Sequence, residues 1–380
     1  MHHRWAVTAV ALAMGCGASP ATVHDAGAIA VDAGAITGDA GRDAGAPAHQ
    51  IAYVSGNGPD ILRFDVGQNG ALSPLGATPA FAANPSFLAI TASAVYAVSE
   101  ATGRVGAYAR SQDSGALTLI NDASSGGAGP AHVAVDRGGG YVLVANYSDG
   151  AVSTLAIRSD GGLAAPRTIQ AGKNAHMIVT DPSNRYAFVP CLGDNYVAQY
   201  RFDAATGQLT PNATPHLATA AGAGPRHLAF APDGVHAYLI NEIASTLSAL
   251  ALDTATGQLR ELQTVSTRAA GATGTNTGAE VWVHPSGRFV YASNRGDNTI
   301  AVFAIAGDGR ITPVGQAQTG GQTPRSFAID ATGAWLYVAN QGTSTVVPFA
   351  IDPRTGMPSP TASAVTATSP EFVALVAAPR

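Results

Sequence analysis

The sequence predicts an all-β fold, a seven-bladed β-propeller of four-stranded antiparallel blades, on two observations. Tyrosine-led strands recur at Tyr53, Tyr96, Tyr141, Tyr186, Tyr238, Tyr291 and Tyr337, at intervals of 43 to 53 residues. That is the length of one propeller blade and too long for a leucine-rich or hexapeptide repeat. Within each interval, short stretches of period two are separated by Gly, Pro, Asp and Asn, without long apolar stripes at helical spacing.

At the N-terminus, Arg4 precedes an apolar run from Trp5 to Met14 that stops at Gly15-Cys16-Gly17. This is the pattern of an export signal. It resembles the bacterial lipoprotein signal, in which a small residue precedes the cysteine that is lipidated, although Ala13 stands where that signal usually has leucine. The resemblance implies a signal over residues 1–16 and lipidation at Cys16; an ordinary signal peptide cut near Ala18 is the alternative. The run is too short to span a bilayer as a helix. Residues 17–49 repeat Asp-Ala-Gly at 25–27, 32–34, 39–41 and 43–45, with too little apolar surface to offset chain entropy, and are expected to form a flexible tether. The expected arrangement is an exported propeller over residues 50–380, touching a membrane only through Cys16. That makes it an outer-membrane or cell-surface lipoprotein, or otherwise a periplasmic or secreted protein.

Charged residues make up only 12% of the chain and the net charge is -5, so no basic patch invites nucleic acid. The repeats run without an internal linker, which predicts one large domain, expected to be a monomer. With two cysteines, Cys16 and Cys191, no structural disulfide is expected once Cys16 is lipidated.

The clearest repeat spans residues 224–267. Its strands are His227–Phe230 (A), Ala237–Asn241 (B), Thr246–Leu252 (C) and Leu259–Val265 (D), with Pro232-Asp233-Gly234 and Ala255-Thr256-Gly257 supplying the tight turns. Equivalent A strands begin near Phe87, Val133, Met177, Leu228, Val281, Phe327 and Phe372. The last follows the final D strand, while the first B strand, Ile51–Ser55, has no A strand before it. Phe372–Leu375 is therefore expected to pair with the N-terminal strand and close the ring, removing exposed sheet edges.

A and B form an antiparallel hairpin, so residues just before A and just after B emerge at one end of the sheet, and A lies next to the axial channel. The pre-A ring reads Ser86, His132, His176, Arg226-His227, Glu280, Arg325-Ser326 and Glu371. The post-B ring reads Glu100, Asn146-Tyr147, Asp194, Asn241-Glu242, Asn294-Arg295 and Asn340-Gln341. In a chain so poor in charge, this gathers arginines, histidines and carboxylates at one channel mouth. The recurring Asn146, Asn241, Asn294 and Asn340 read as turn formers that bond backbone groups. His132, His227 and Glu280 fit channel packing or ligand contact equally, whereas Arg226, Glu242, His176 and Arg295 break the repeat and read as functional.

Two segments carry a family resemblance: Gly224-Pro225-Arg226-His227-Leu228-Ala229-Phe230 leading to Asn241-Glu242, and Ser293-Asn294-Arg295-Gly296-Asp297-Asn298 leading to Ala301-Val302-Phe303. They resemble the lactonase family of seven-bladed propellers, which includes propeller-type 6-phosphogluconolactonases and carboxy-muconate lactonising enzymes. Residues 129–146, 176–193 and 324–340 fit as well. The resemblance implies that Arg226, Glu242, Arg295 and His176 occupy active-site positions, and that the partner is a small-molecule lactone or anionic sugar acid. Two residues depart from the family pattern. Cys191 stands where Asp is common, and Asn174 replaces the first His of a His-x-His pair.

The chemistry can be stated from residue types alone. Opening a lactone needs an activated water and a cation or donor where the carbonyl oxygen becomes negative. Glu242 or His176 supplies the base, and Arg226 and Arg295 supply the cation or grip a substrate carboxylate or phosphate. His132, His227, Glu280 and Arg325 line the substrate channel. No cofactor or metal is expected, because no His or carboxylates show metal-site spacing. A serine nucleophile is not expected either, because no Gly-x-Ser-x-Gly elbow occurs. Two other readings stay open, a non-catalytic tethered propeller that binds carbohydrate or protein, and a muconate-type cycloisomerase. Convergence of Arg226, Glu242 and Arg295 on one point favours an enzyme; their separation favours a scaffold.

Overall fold

The computed structural model describes residues 49–378; the predicted signal, Cys16 and most of the tether lie outside the described residues. These residues form seven sheets arranged as blades, six of four strands and one whose outermost strand is broken in two. In blade 1 the sheet order is Pro370–Ala377, Gln50–Gly56, Asp60–Val66 and Leu72–Pro79. The chain ends meet antiparallel, with Ile51 opposite Val376 and Tyr53 opposite Ala374, so the last strand closes the ring as the repeat count requires.

The predicted blade appears as Pro225–Phe230, His236–Asn241, Thr246–Asp253 and Gln258–Ser266, within two residues of the sequence assignment at every boundary. Two blades deviate, and proline explains both. In blade 4 the expected A strand near Met177 shrinks to Val179–Thr180, with an isolated bridge between Ala175 and Cys191. Its partner strand Tyr186–Cys191 carries Pro190, which has no N–H to donate, so the ladder breaks beside His176. In blade 7 the outer strand is split into Pro358–Pro360 and Val365–Thr366, again where proline cannot sustain pairing.

The hydrophobic core lies between the blades, in clusters drawn from neighbouring sheets. Tyr53, Tyr96, Tyr238, Tyr291 and Tyr337 are fully buried there. A buried phenol needs a partner. Each repeat tyrosine finds it in the turn before the outermost strand of the next blade: Tyr53 donates to Gly115 O, Tyr96 to Gly161 O, Tyr141 to Ala205 O, Tyr186 to Ala255 O, Tyr238 to Gly309 O and Tyr291 to Gly356 O. Tyr337 donates back to Gly70 O of blade 1 and completes the circle.

At the channel end of six inner strands the register shifts by a bulge, between Pro85 and Phe87, Pro130 and His132, Pro225 and His227, Gly278 and Val281, Pro324 and Ser326, and, in the closing strand, Pro370 and Phe372. A bulge leaves an unpaired residue and re-aims its side chain. Arg226 and Arg325 sit in two of these bulges, each just after the proline.

The closure is testable by deleting residues 371–380. Loss of the strand that completes blade 1 opens the ring, and cooperative thermal unfolding is expected to disappear or shift strongly downward. An unchanged melting temperature would contradict the closure. The milder Phe372→Ala, at a buried ring 4.4 Å from Phe87, is expected to cost about 3–5 kcal/mol.

Candidate active site

Two rings of polar residues meet at one mouth of the channel. The bulge after Pro225 presents Arg226 from blade 5, the end of strand His236–Asn241 presents Glu242, and the end of strand Phe289–Asn294 presents Arg295 from blade 6. Backbone contacts lock the segments together: Glu242 N donates to Gly224 O, Gly278 N to Glu242 O, and Arg295 N to Thr277 O. As a result Arg226 Nε lies 3.0 Å from Glu242 Oε2 and Arg295 Nη2 lies 2.8 Å from Glu242 Oε1. Each carboxylate oxygen thus faces its own guanidinium. The carbonyls of Ala279 and Gly278 accept from Arg226 Nη1 at 2.6 Å and Arg295 Nη2 at 3.0 Å, fixing the two forks.

Burial alone would raise the Glu242 carboxyl. The Arg226 and Arg295 charges outweigh it and hold the group below its ordinary value, so it is ionised at neutral pH. Burial lowers Arg226 to about 10, against the pull of Glu242, which still leaves the guanidinium charged near pH 7.

Beneath this pair the axis is filled by rings. His227 packs 5.6 Å from His132, 5.8 Å from Phe87 and 5.1 Å from His176, and His176 lies edge-on to Tyr147 at 5.4 Å. His227 Nδ1 is 2.8 Å from Glu280 Oε1 and its Nε2 faces Arg226 Nη1 at 3.4 Å. A guanidinium can only donate, so Nε2 carries the lone pair and Nδ1–H donates to Glu280. Burial, reinforced by the charge of Arg226, keeps His176 and His227 neutral, and burial with the neighbouring His227 does the same for His132. Burial also pushes Glu280 up to about 7. A chain of contacts therefore runs Glu242, Arg226, His227, Glu280 from mouth to axis.

Arg325, in the bulge of blade 7, lies 3.8 Å from both Glu100 and Glu371. Glu371 also accepts from Asn57 Nδ2 at 3.0 Å and Gln341 Nε2 at 2.6 Å. The charge of Arg325 acts on Arg226, Glu242 and His176, so this second cluster shares the mouth.

The structure thus brings Arg226, Glu242 and Arg295 into direct contact, sets His176 and Arg325 around them, and buries His132, His227 and Glu280 below. Sequence reasoning lists Glu100, Tyr147 and Glu371 on the two rings without giving them a role; the signal for Glu371 is its pre-A position in the closing strand. Asn241 donates to the Thr246 and Ser248 hydroxyls of its own hairpin, as expected of a turn former, whereas Asn146, Asn294 and Asn340 donate to Ser125 O, Thr267 O and Thr319 O just past the outer strand of the preceding blade, and so tie neighbouring blades together instead. Cys191 is fully buried, and burial pushes its thiol up to about 12, so it packs as a small apolar residue. Asn174 takes a left-handed conformation at φ 57°, which asparagine tolerates, and donates to Tyr147 O at 3.2 Å. Among the described residues no cluster of three or more His, Cys, Asp or Glu side chains is placed to hold a metal ion.

Residues 51–375 match the family described as Lactonase, 7-bladed beta-propeller. The chain belongs to this family. It is 34% identical over 295 residues to a 6-phosphogluconolactonase of Bacillus subtilis, covering 72% of this chain and 82% of the relative. A 6-phosphogluconolactonase of Pectobacterium carotovorum is 32% identical over 270 residues, covering 70% of this chain and 80% of the relative. Among solved structures, a periplasmic gluconolactonase of Pseudomonas aeruginosa superposes with a TM-score of 0.80 at 29% identity, over 88% of this chain and 100% of the other.

The buried ionisable groups set the pH dependence of stability. His132, His176 and His227 have folded pKa values below their ordinary 6.5. Below pH 6.5 the unfolded chain therefore binds protons that the folded chain does not, and stability is lost as pH falls. Glu280 and Glu371 act oppositely. Their folded pKa values lie above the ordinary 4.5, so the stability they contribute is full below that value and is lost as pH rises, for Glu280 through about 7. Three imidazoles outweigh two carboxyls. The urea midpoint is expected to fall as pH goes from about 6.5 to 5; a midpoint that is flat or rises over that window would contradict this assignment of charge.

Proposed function

We propose that this chain hydrolyses a sugar-type lactone at the mouth built by Arg226, Glu242, Arg295 and His176, as a monomeric, exported propeller. One observation carries the reading: two guanidiniums from adjacent blades close on a single carboxylate beside a neutral histidine. That convergence favours an enzyme over a scaffold, and the names of the relatives favour lactone hydrolysis over cycloisomerisation.

The lactone carbonyl seats toward Arg226 and Arg295, where preorganised donors meet the oxygen as it becomes negative. Water attacks the carbonyl carbon and its proton passes to His176. The tetrahedral intermediate collapses by breaking the ring C–O bond, and the leaving alkoxide takes the proton back from the imidazolium. His176 suits the base role better than Glu242. Both Glu242 oxygens face guanidiniums, whereas His176 Nδ1 has no hydrogen-bond partner and is free to take a proton. Glu242 then holds the two forks in register and screens them from each other.

His176→Gln is expected to lower kcat by about 10²–10⁴-fold with little change in KM, and Arg226→Met by about 10²–10³-fold. Release of acid from δ-gluconolactone and related lactones, followed in a pH-stat, provides the measurement. Turnover of every lactone in the panel at only the spontaneous rate would reject the reading. Wild-type rates in His176→Gln together with loss in Glu242→Gln would move the base to Glu242.

Export is supported by the N-terminal signal pattern and by the periplasmic relative. With the anchor at Cys16, cells fed labelled palmitate are expected to incorporate label into the wild-type chain and not into Cys16→Ala. Equal labelling of both, or of neither, would replace the lipoprotein by an ordinary secreted product.

A further inference from the structure

The mouth is electrically divided. On the side of blades 5 and 6, Arg226 and Arg295 surround the single carboxylate of Glu242. On the side of blades 7, 1 and 2, the single guanidinium of Arg325 lies between the carboxylates of Glu100 and Glu371. With all groups ionised the first half has one positive charge in excess and the second one negative. The crowding on the second half is evident at Glu371, which burial raises and the charge of Glu100 raises further against the pull of Arg325.

Resting on the lactonase reading above, we propose that Glu100 and Glu371 make the mouth selective for an unphosphorylated sugar lactone over its phosphate ester. The lactone carbonyl must face the basic half, because only there is developing negative charge stabilised. The rest of the sugar then lies over the acidic half. Hydroxyl groups are donors and fit carboxylate acceptors. A phosphate ester, carrying about -1.5 to -2 charge and only acceptor oxygens, meets two carboxylates there against the one guanidinium of Arg325, a net like charge. Turning the ester around so that its phosphate meets Arg226 and Arg295 displaces Glu242 and leaves the carbonyl against Glu100 and Glu371, where an oxyanion is repelled.

Independent observations on the same half agree. Ser55 and Ser86, each 3% exposed, have hydroxyls with no hydrogen-bond partner, and Glu100 Oε1 has none either. Buried polar groups are rarely left so. Ser86 belongs to the pre-A ring that carries Glu371, and Ser55 lies on the strand paired with it, opposite Phe372. Hydroxyls and a carboxylate oxygen still open to bonding are the inventory a polyol would satisfy.

The experiment compares kcat/KM of the purified full chain for glucono-1,5-lactone and for its 6-phosphate, at neutral pH and low salt, each corrected for spontaneous hydrolysis. The unphosphorylated lactone is expected to be preferred by about tenfold or more. In Glu100→Gln/Glu371→Gln that preference is expected to shrink about tenfold, through a gain on the phosphate ester. If the double variant does not unfold cooperatively, Glu100→Gln alone, at the more exposed of the two carboxylates, is expected to move the ratio in the same direction. Equal or better turnover of the phosphate ester by the wild type overturns the proposal, as does a ratio that the substitutions leave unmoved. Turnover of other lactones but neither of these two overturns the proposal alone. No turnover of any lactone overturns the lactonase reading and the proposal with it.

Discussion

The hydrogen bond from each repeat tyrosine to the turn of the next blade is the constraint on which the rest of the molecule depends. Apolar sheet faces attract without direction, so burial alone would let blades slide or tilt against one another. A phenol that must find an acceptor in the neighbouring blade fixes that relation at one point per interface, seven times around the ring, with Tyr337 reaching Gly70 across the closure. Each bond contributes about 1 kcal/mol net, but a phenol left unpaired in the same place costs about 1–3 kcal/mol. The penalty for misalignment therefore exceeds the gain from alignment, and that asymmetry produces a single register. The turns are matched to the task. Gly257, at φ 71°, packs so closely on the Tyr186 ring that any Cβ would lie 2.1 Å from it.

Blade register is also what assembles the mouth. Arg226 and Glu242 come from one hairpin and Arg295 from the next blade, more than fifty residues further on, and each is exposed by no more than about a fifth. Removing such charges from water is costly, and the pairing offsets that cost only when geometry is good. The Pro225 bulge supplies the direction of Arg226, the carbonyls of Ala279 and Gly278 supply its clamp and that of Arg295, and the tyrosine ring holds the two blades to the tolerance the contacts need. The site is thus preorganised by the scaffold.

How far this was legible in the sequence follows from which features are local. The tyrosine period, the tight turns and the orphan B strand at Ile51 are written along the chain, and they gave the seven blades and the closure. The two polar rings follow from hairpin geometry alone, which is why Arg226, Glu242, Arg295 and His176 could be gathered at one mouth before any coordinates. The shortened inner strand of blade 4 was hidden because Pro190 disrupts a partner rather than its own segment. The pairing pattern was hidden too. That Glu242 faces two arginines while Arg325 faces two glutamates depends on where bulges turn side chains, and an inventory of ring residues carries no such direction.

The packing of the axis bears on the chemistry above it. His227 lies between His132, His176 and Phe87 and holds Arg226 from below while Glu280 holds His227. Were this ring phenylalanine, Arg226 would keep Ala279 O and Glu242 but lose the acceptor beneath it. Were it a charged histidine, it would repel Arg226 and draw Glu280 into full ionisation in a place where burial opposes that. A neutral imidazole with its lone pair toward the guanidinium and its proton toward the carboxylate meets both demands. The low pKa of these buried histidines is thus a condition of the site: the same desolvation that keeps them uncharged keeps Arg226 pointed at the carboxylate, and ties the charge pattern of the mouth to the tightness of the ring.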